Sequence, residues 1–293
     1  MSQNQSRRRA IKNLMMSSVA VGALSSFESK DSPSKTRSEL KGNINHSVCR
    51  WCYDSIPLEE FCAGAKEIGI KAIDLVGPKD WPTLKRFGLH SSMCNGAEIN
   101  LVDGWNDTSF HEKLIRNYSE MIPLVAKNGY TNLICFSGSR RGKDDETGWK
   151  NCTDGLKQIM QLAEKNNVTI IMELLNSKVD HKDYQCDKTS WGVELVKRVG
   201  SPNFKLLYDI YHMQIDEGDV IRTIRNNHQY IAHYHTGGVP GRNEIDATQE
   251  LYYPAIMEAI IKTGFKGYVA QEFIPTWKDK LAALKKGVEI CDV

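Results

Sequence analysis

Four polar side chains occur at or near the ends of four successive apolar segments in the second half of the chain. VTIIMELLN carries a glutamate among Ile, Met and Leu, while FKLLYDIY, YIAHYHTGG and YVAQEF carry an aspartate, a histidine and a second glutamate. A lone carboxylate in apolar surroundings must be neutralised or partnered, because burying it alone is costly. One divalent cation could hold three carboxylates ionised and accept an imidazole as a further ligand. The sequence therefore predicts a metal site formed by Glu173, Asp209, His235 and Glu272.

The donor types indicate which ion this site would prefer. Three carboxylates and one imidazole, without a thiolate, favour Mn²⁺ or Mg²⁺, with Co²⁺ or Zn²⁺ as alternatives. Each residue also has an ordinary structural explanation, since a strand-end aspartate often caps a helix and a strand histidine is often a hydrogen-bonded core residue. Four such residues in successive segments are harder to explain by coincidence.

The segments that carry these residues belong to a longer series. From residue 44 onward there are eight short apolar segments, the first four being INHSVCRW, KAIDLVG, GLHSSMC and TNLICFSG. Stretches with helical spacing separate them, among them IPLEEFCAGAKEIG, HEKLIRNYSEMIPLVAKNG, TDGLKQIMQLAEKNN, SWGVELVKRVG and LYYPAIMEAIIKTG. Apolar strands alternating with helices are typical of a parallel sheet covered by helices.

Eight such units match the count and the size, about 250 residues, of a (β/α)₈ TIM barrel. We therefore predict an α/β fold with one barrel domain spanning residues 44–293. An open doubly wound sheet is the alternative, but no strand is followed by the glycine-rich turn with which such sheets bind nucleotides. Because side chains alternate along a strand, Glu173, Asp209 and Glu272 can all face the barrel interior near its carboxyl-terminal mouth. Barrel enzymes keep their active sites at that mouth.

The first thirty residues differ in character from the rest. SRRRAIK precedes the apolar, small-residue stretch LMMSSVAVGALSSF, which is typical of a twin-arginine export signal over residues 1–30. Residues 31–43 read as a polar linker. We predict export to the periplasm without a stable membrane span, because the apolar stretch is shorter than the ~20 residues that cross a bilayer. A cytoplasmic protein or a retained signal anchor are the alternatives.

The amino-acid composition limits the kinds of partner that the protein is expected to bind. The chain has 38 basic and 36 acidic residues, and five of the basic ones fall in the first thirty, so the remainder is close to neutral. Such a surface offers no broad basic patch, and nucleic acid is not expected as a partner. The eight cysteines mostly lie in apolar or helical patterns, where a free thiol behaves as a small hydrophobe. Cys49 and Cys52 form the one CxxC pair, which alone is weak evidence for zinc or redox chemistry.

The four ligand-bearing segments resemble the xylose-isomerase-like TIM barrel superfamily, and most closely its hydroxypyruvate isomerase branch. The resemblance extends over essentially everything after residue 44, and its most branch-specific parts are the PGRNE turn and QELYYPAI. It implies that Glu173 and Glu272 both bind metal and transfer protons, while Asp209 and His235 complete the metal shell. It also implies that His212, three residues after the aspartate, and the arginine after strand seven bind substrate; here that arginine is Arg242.

The resemblance implies a metal-dependent isomerase that interconverts aldose- and ketose-type substrates through an enediol, most closely a hydroxypyruvate isomerase. One residue departs from the pattern, because that branch often has Gln where this chain has His235, as ketose 3-epimerases do. A ketose 3-epimerase and an inosose-type isomerase or dehydratase therefore stay open as alternatives. So do an endonuclease-IV-like phosphodiesterase and an exported, metal-containing sugar-binding protein. The expected partner is a small carbohydrate or keto acid, and a homo-oligomer is compatible with the superfamily.

Several residues near the predicted mouth are weaker candidates. His181 and Lys182, on the loop after strand five, could contact a substrate oxygen, although a solvated loop explains them equally well. Trp51, Trp81 and Trp105 follow early strands and could line the pocket or simply pack in the core. The histidine two residues before His235 shares its face but lies deeper, so we expect it to be a hydrogen-bonded core residue.

Overall fold

Eight parallel strands close into a barrel in the computed structural model, which describes residues 39–293. The strands β1 to β8 are Asn45–Cys49, Ala72–Val76, His90–Cys94, Asn132–Cys135, Thr169–Glu173, Phe204–Asp209, Ile231–Thr236 and Tyr268–Gln271. Each strand pairs with the next along the chain, and β8 pairs with β1. The predicted (β/α)₈ barrel is confirmed.

Helices surround the strands on the outside of the barrel. In the described part of the chain α1 to α9 are Leu58–Ile68, Trp81–Arg86, His111–Lys127, Asp145–Lys165, Thr189–Val199, Ile210–Asp216, Val220–Asn227, Tyr253–Lys262 and Lys280–Cys291. Residues 39–293 also contain three 3₁₀ turns, which are Arg50–Tyr53, Thr108–Phe110 and His228–Tyr230. The strands are almost continuously buried, as expected for a sheet covered on both faces.

Glycine ends two of the helices as the sequence pattern indicated. Gly69 after α1 and Gly200 after α5 have left-handed backbones, with φ of 103° and 72°. A residue without a Cβ adopts this conformation at little cost, and the turn satisfies the last helical carbonyls. At α4 the positive φ falls instead on Asn167, one residue beyond the capping Asn166.

Two helices differ from what spacing alone predicts. The α4 helix begins at Asp145, eight residues before the apolar spacing becomes regular, because the Asp144 side chain accepts a hydrogen bond from Thr147 N and caps the helix. The short helix α6 follows β6 directly, so the segment after Asp209 is helical rather than loop. In both helices a capping aspartate sets the position of the first helical residue, and a hydrophobic pattern does not reveal such a cap.

The domain is tied together at its two sequence ends. Lys41 N donates to Asp292 Oδ2 at 2.8 Å, and Asn43 Nδ2 donates to Val293 O at 2.8 Å, so residues 39–43 of the predicted linker contact the C-terminus. The predicted export signal, residues 1–30, lies outside the described residues. Within residues 39–293 no helix combines the length and apolarity needed to cross a bilayer.

All eight cysteines are buried and none forms a disulfide. Cys49 and Cys52 are therefore separate thiols. Burial raises the pKa of both thiols well above the ordinary value, and it raises the pKa of Cys62 to about 11. A protonated, enclosed thiol is a poor nucleophile.

Candidate active site

The strand register brings the four predicted metal ligands together. Asp209 on β6 pairs with His235 on β7, and His235 pairs with Ala270 on β8. Glu272 lies one residue beyond β8, and its N–H continues the ladder by donating to Thr236 O at 2.9 Å. One ligand atom from each of four residues lies within 4.8 Å of the others: Glu173, Asp209, His235 and Glu272. The predicted convergence at the barrel mouth is present in the structure.

The imidazole of His235 is the contact point of the two glutamates. Its Nδ1 lies 2.9 Å from Glu272 Oε2 and 3.2 Å from Glu173 Oε1. All three residues are at most 4% exposed. Glu173 Oε1 is a buried oxygen without a satisfactory hydrogen bond among the described residues. A buried carboxylate oxygen in that state is expected where an additional cationic partner belongs.

Arg242 supplies the one guanidinium of this cluster. Its Nη2 lies 2.5 Å from Glu272 Oε2 and 3.3 Å from Asp209 Oδ2. The guanidinium is also sandwiched between the rings of Trp51 and Tyr211, at 5.2 and 5.3 Å from their centroids. Stacking of this kind holds an arginine in one orientation while its edge stays available for a planar anion.

The charges of the cluster shift its pKa values in different directions. Burial and the neighbouring Glu272 raise the pKa of Asp209 and of Glu173. Burial also disfavours the charged form of Glu272, but Arg242 and His235 outweigh it and hold the pKa of Glu272 well below its usual range. Burial lowers the pKa of His235, and the surrounding anions more than reverse this. The site therefore has more negative charge than its own cations balance comfortably.

His212 lies beside the cluster with a defined tautomer. Asn176 Oδ1 accepts hydrogen bonds from the backbone N–H groups of Val179 and Asp180, both at 3.0 Å, so its Nδ2 must face the other way. That Nδ2 lies 2.6 Å from His212 Nδ1, which must accept the hydrogen bond. Burial lowers the pKa of His212 well below its usual value, so the ring is neutral. The proton of His212 is therefore on Nε2, which is buried, has no hydrogen-bond partner among the described residues and lies 3.6 Å from Asp209 Oδ2. The Nε2–H group is therefore an unsatisfied donor beside the cluster.

We expect Asn176→Asp to reverse this tautomer. An aspartate keeps the shape and can still accept from the two backbone N–H groups, but its second oxygen requires a proton on His212 Nδ1. Histidine ¹⁵N NMR should show His212 protonated at Nε2 in the wild type and at Nδ1 in the variant. The control is Asn106→Asp, because Asn106 is an equally buried amide that contacts Gln185 and Ser139 but no histidine. An unchanged His212 spectrum in Asn176→Asp would show that the amide does not set the tautomer.

The weaker candidates differ in how close they lie to the cluster. The His181 ring lies 5.2 Å from the His212 ring and is partly exposed, so it borders the site. Lys182 is exposed and contacts none of the four predicted ligands, and its role in substrate binding stays a prediction. Among the tryptophans, Trp51 reaches the site and donates its indole N–H to Glu272 Oε1 at 2.8 Å. Trp81 donates to Val76 O within the core, and Trp105 is fully buried against Tyr118.

Asp74 is a member of this cluster that the sequence analysis missed. It lies on β2, is fully buried, and places Oδ1 3.1 Å from His235 Nε2. Its Oδ2 lies 2.7 Å from His233 Nε2, and the deeper histidine is fully buried as expected, although neither ring nitrogen forms a hydrogen bond of good geometry among the described residues. The signal was present in KAIDLVG, which places a carboxylate in an apolar strand just as VTIIMELLN does. Asn176, within that fifth segment, was missed as well because an amide at a strand end carries no charge to explain.

The donor set fits a divalent cation. Three buried carboxylates and one imidazole nitrogen converge, one carboxylate oxygen lacks a satisfactory partner, and no thiolate is needed to complete the set. Hard, oxygen-rich sites with one imidazole suit Mn²⁺ or Mg²⁺. A bound ion would neutralise the excess negative charge that now raises the pKa of two of the carboxylates.

Curated relatives were found across the barrel. The 2-oxo-tetronate isomerase of Cupriavidus necator is 34% identical over 113 residues, which cover 39% of this chain and 43% of the relative. The mouse putative hydroxypyruvate isomerase is 26% identical over 245 residues, which cover 77% of this chain and 87% of the relative. The first of these alignments thus spans less than half of its relative, whereas the second spans most of it.

Solved structures and family profiles agree on the fold. A crystal structure described as an AP endonuclease, family 2, from Brucella melitensis superposes with a TM-score of 0.72 at 23% identity, covering 84% of this chain and 97% of that one. At this identity the likeness shows the fold alone. The family profile described as xylose isomerase-like TIM barrel matches residues 58–290, which is most of the chain. The chain belongs to the xylose isomerase-like TIM barrel family.

Proposed function

We propose that this protein is a metal-dependent isomerase that interconverts a small 2-keto acid and its aldehyde isomer through an enediol, as hydroxypyruvate isomerase does. The observation that carries the proposal is the convergence of Glu173, Asp209, His235 and Glu272 within 4.8 Å at the barrel mouth. The relatives named as 2-oxo-tetronate isomerase and hydroxypyruvate isomerase support it. A Mn²⁺ or Mg²⁺ ion held by these four residues would act as a Lewis acid toward the substrate oxygens.

The proton transfer falls to the two glutamates. Isomerisation removes a proton from the hydroxyl-bearing carbon and returns one to the neighbouring carbonyl carbon, while a proton moves between the two oxygens. The Trp51 indole N–H donates to Glu272 Oε1 and holds this carboxylate in one orientation, so we assign Glu272 as the group that accepts the carbon-bound proton. Glu173 reaches the same imidazole nitrogen and can return a proton. His212 Nε2–H is placed to donate a hydrogen bond to a substrate oxygen.

Arg242 supports a substrate that carries a carboxylate. Its side chain is 14% exposed, and its guanidinium is fixed between two aromatic rings and already binds carboxylates of the protein. A guanidinium matches a carboxylate with two parallel hydrogen bonds, which an ammonium group cannot reproduce. A keto acid would use this match, whereas a neutral ketose has no carboxylate to offer.

Arg242→Lys should raise the KM for hydroxypyruvate by about 10- to 100-fold, the range expected when hydrogen bonds to a charged group are lost. The KM for neutral ketoses should change much less. Arg141→Lys is the matched control, since Arg141 also has a positive φ and pairs with Asp103 but has no contact with the cluster. Steady-state kinetics with both substrate classes measures the effect. An equal rise in KM for acids and neutral ketoses would contradict the proposal that Arg242 binds a substrate carboxylate.

A ketose 3-epimerase is the second candidate. It is favoured by His235, which stands where the hydroxypyruvate isomerase branch often has Gln. An epimerase removes and returns a proton at the same carbon from opposite faces, and two glutamates around one site could do this as well. A phosphodiesterase is less well supported, because the chain has eight histidines in all and a nearly neutral body.

One experiment separates these possibilities. Metal-analysed protein is incubated in D₂O with hydroxypyruvate, tartronate semialdehyde and a panel of ketohexoses, and NMR follows deuterium at carbon. Label in the keto acid with formation of the aldehyde supports the isomerase. Label at C3 of a ketose supports the epimerase, and binding without label would leave a sugar-binding protein. Export by the twin-arginine pathway stays a separate prediction.

A further inference from the structure

Asp74 is positioned differently from the other buried acids of the site. It lies on β2, a strand that carries none of the four predicted ligands, and is completely buried. Its carboxylate contacts His235, but on the side of the ring away from the glutamates: Nε2 faces Asp74 at 3.1 Å, while Nδ1 faces Glu272 at 2.9 Å. The two nitrogens of one imidazole are thus held by different carboxylates.

The two nitrogens cannot play the same part when a cation is bound. A neutral imidazole has one N–H donor and one lone pair, and a metal ligand uses the lone pair. Carboxylates face both nitrogens of His235, so each carries an N–H in this structure. When a cation is held by Glu173 and Glu272, Nδ1 would give up its proton to become a ligand, and the Asp74 carboxylate would keep the other proton on Nε2. We propose that Asp74 is a positioning residue that fixes the Nε2–H tautomer and the ring orientation of His235, so that Nδ1 is presented to the divalent ion. This inference rests on the proposed metal-dependent function.

The surroundings hold the Asp74 carboxylate in place from several strands. Ser92 Oγ on β3 donates to its Oδ2 at 2.8 Å, and His233 Nε2 on β7 lies 2.7 Å from the same oxygen. The Cys49 thiol on β1 donates to Oδ1 at 3.7 Å. Such support is what a group needs if it must orient another side chain rather than merely be tolerated.

The backbone is also distorted to aim this side chain. The pairing of β2 with β3 is irregular on both sides of Asp74, and the next residue, Leu75, has φ of +55°. A leucine in the left-handed region is strained, and irregularities in a strand redirect a side chain. A carboxylate kept only for packing gives no reason for this distortion, because a small apolar residue on a regular strand would fill the position.

Metal affinity tests the inference on the full-length, metal-stripped protein. Mn²⁺ binding, followed by EPR, should be weakened about 10- to 100-fold in Asp74→Ala, which is the usual effect of losing such a partner. Asp74→Asn should weaken it less, because its amide oxygen can still accept from Nε2–H. Asp187→Ala is the matched control: it removes a buried carboxylate that contacts Arg140 and Ser177 but none of the four predicted ligands, and its Mn²⁺ affinity should stay at the wild-type level.

The tautomer gives a second readout. In Zn²⁺-loaded, diamagnetic protein, histidine ¹⁵N NMR should show His235 protonated at Nε2 in the wild type, and this resonance should shift in Asp74→Asn even if Asp74→Ala does not fold. Wild-type Mn²⁺ affinity together with an unshifted His235 resonance in the folded Asp74 variants would overturn the inference alone. A wild-type protein that binds no Mn²⁺ would overturn both the inference and the proposed function.

Discussion

Glu272→Gln should abolish the exchange of solvent deuterium into substrate. The change keeps the size of the side chain but removes the charge that accepts the proton, that pairs with Arg242 and that contributes to the metal site. General acid–base groups contribute about 10²- to 10⁴-fold to rate, so the exchange rate should fall by at least about 100-fold. NMR detection of deuterium at substrate carbon measures the loss directly.

The matched control is Glu244→Gln. Glu244 is an equally buried glutamate on the loop after β7, and its carboxylate accepts from the backbone N–H groups of Thr276 and Trp277 instead of facing the cluster. This variant should retain exchange, even if it unfolds at a lower temperature. Retained exchange in a folded Glu272→Gln protein would count against proton transfer by Glu272. Circular dichroism of both variants establishes that they are folded.

Removal of the metal should have an effect of similar size. After chelation the three carboxylates again repel one another, and the catalytic rate should fall to background because no Lewis acid polarises the carbonyl. Adding Mn²⁺ or Mg²⁺ should restore the rate. Binding to the folded state alone should also add about 2.7 kcal/mol to the free energy of unfolding at a metal concentration of 100 times Kd.

Asp209→Ala provides the control for this prediction. The variant lacks a ligand, so neither its activity nor its unfolding temperature should respond to added metal at concentrations that restore the wild type. Thermal unfolding with and without Mn²⁺ gives the comparison. If chelated wild-type protein keeps its full rate, the role given to the metal is wrong.

The residues of the cluster were predictable because an isolated buried carboxylate is energetically costly. A carboxylate such as Glu173 within an apolar strand demands a partner, and strand alternation directs it to the same interior as Asp209 and Glu272. The structure also shows that two explanations of Asp209 hold together. Its Oδ1 caps α6 by accepting from His212 N at 3.2 Å, while its Oδ2 faces Arg242. A helix cap and a site residue are not exclusive when a carboxylate has two oxygens.

The remaining features depend on contacts that a single sequence does not encode locally. The tautomer of His212 follows from two backbone N–H groups that orient Asn176. The two rings that enclose Arg242 come from Trp51, after β1, and Tyr211, after β6, which are about 160 residues apart in the sequence. Asp74 was detectable as a buried acid, but its partner His235 lies on β7, far from it in the sequence. Local patterns predict helices, strands and the buried charges that need a partner, whereas these pairings form only when the barrel closes.

Anomalous diffraction at the manganese edge, from crystals grown with Mn²⁺, tests most directly whether one divalent ion neutralises the carboxylates of the cluster. We predict one strong peak per chain enclosed by Glu173, Asp209, Glu272 and Nδ1 of His235, with the Arg242 guanidinium displaced from the two carboxylates that it now contacts. A map without a peak there, in which Arg242 still pairs with Asp209 and Glu272, would contradict the account.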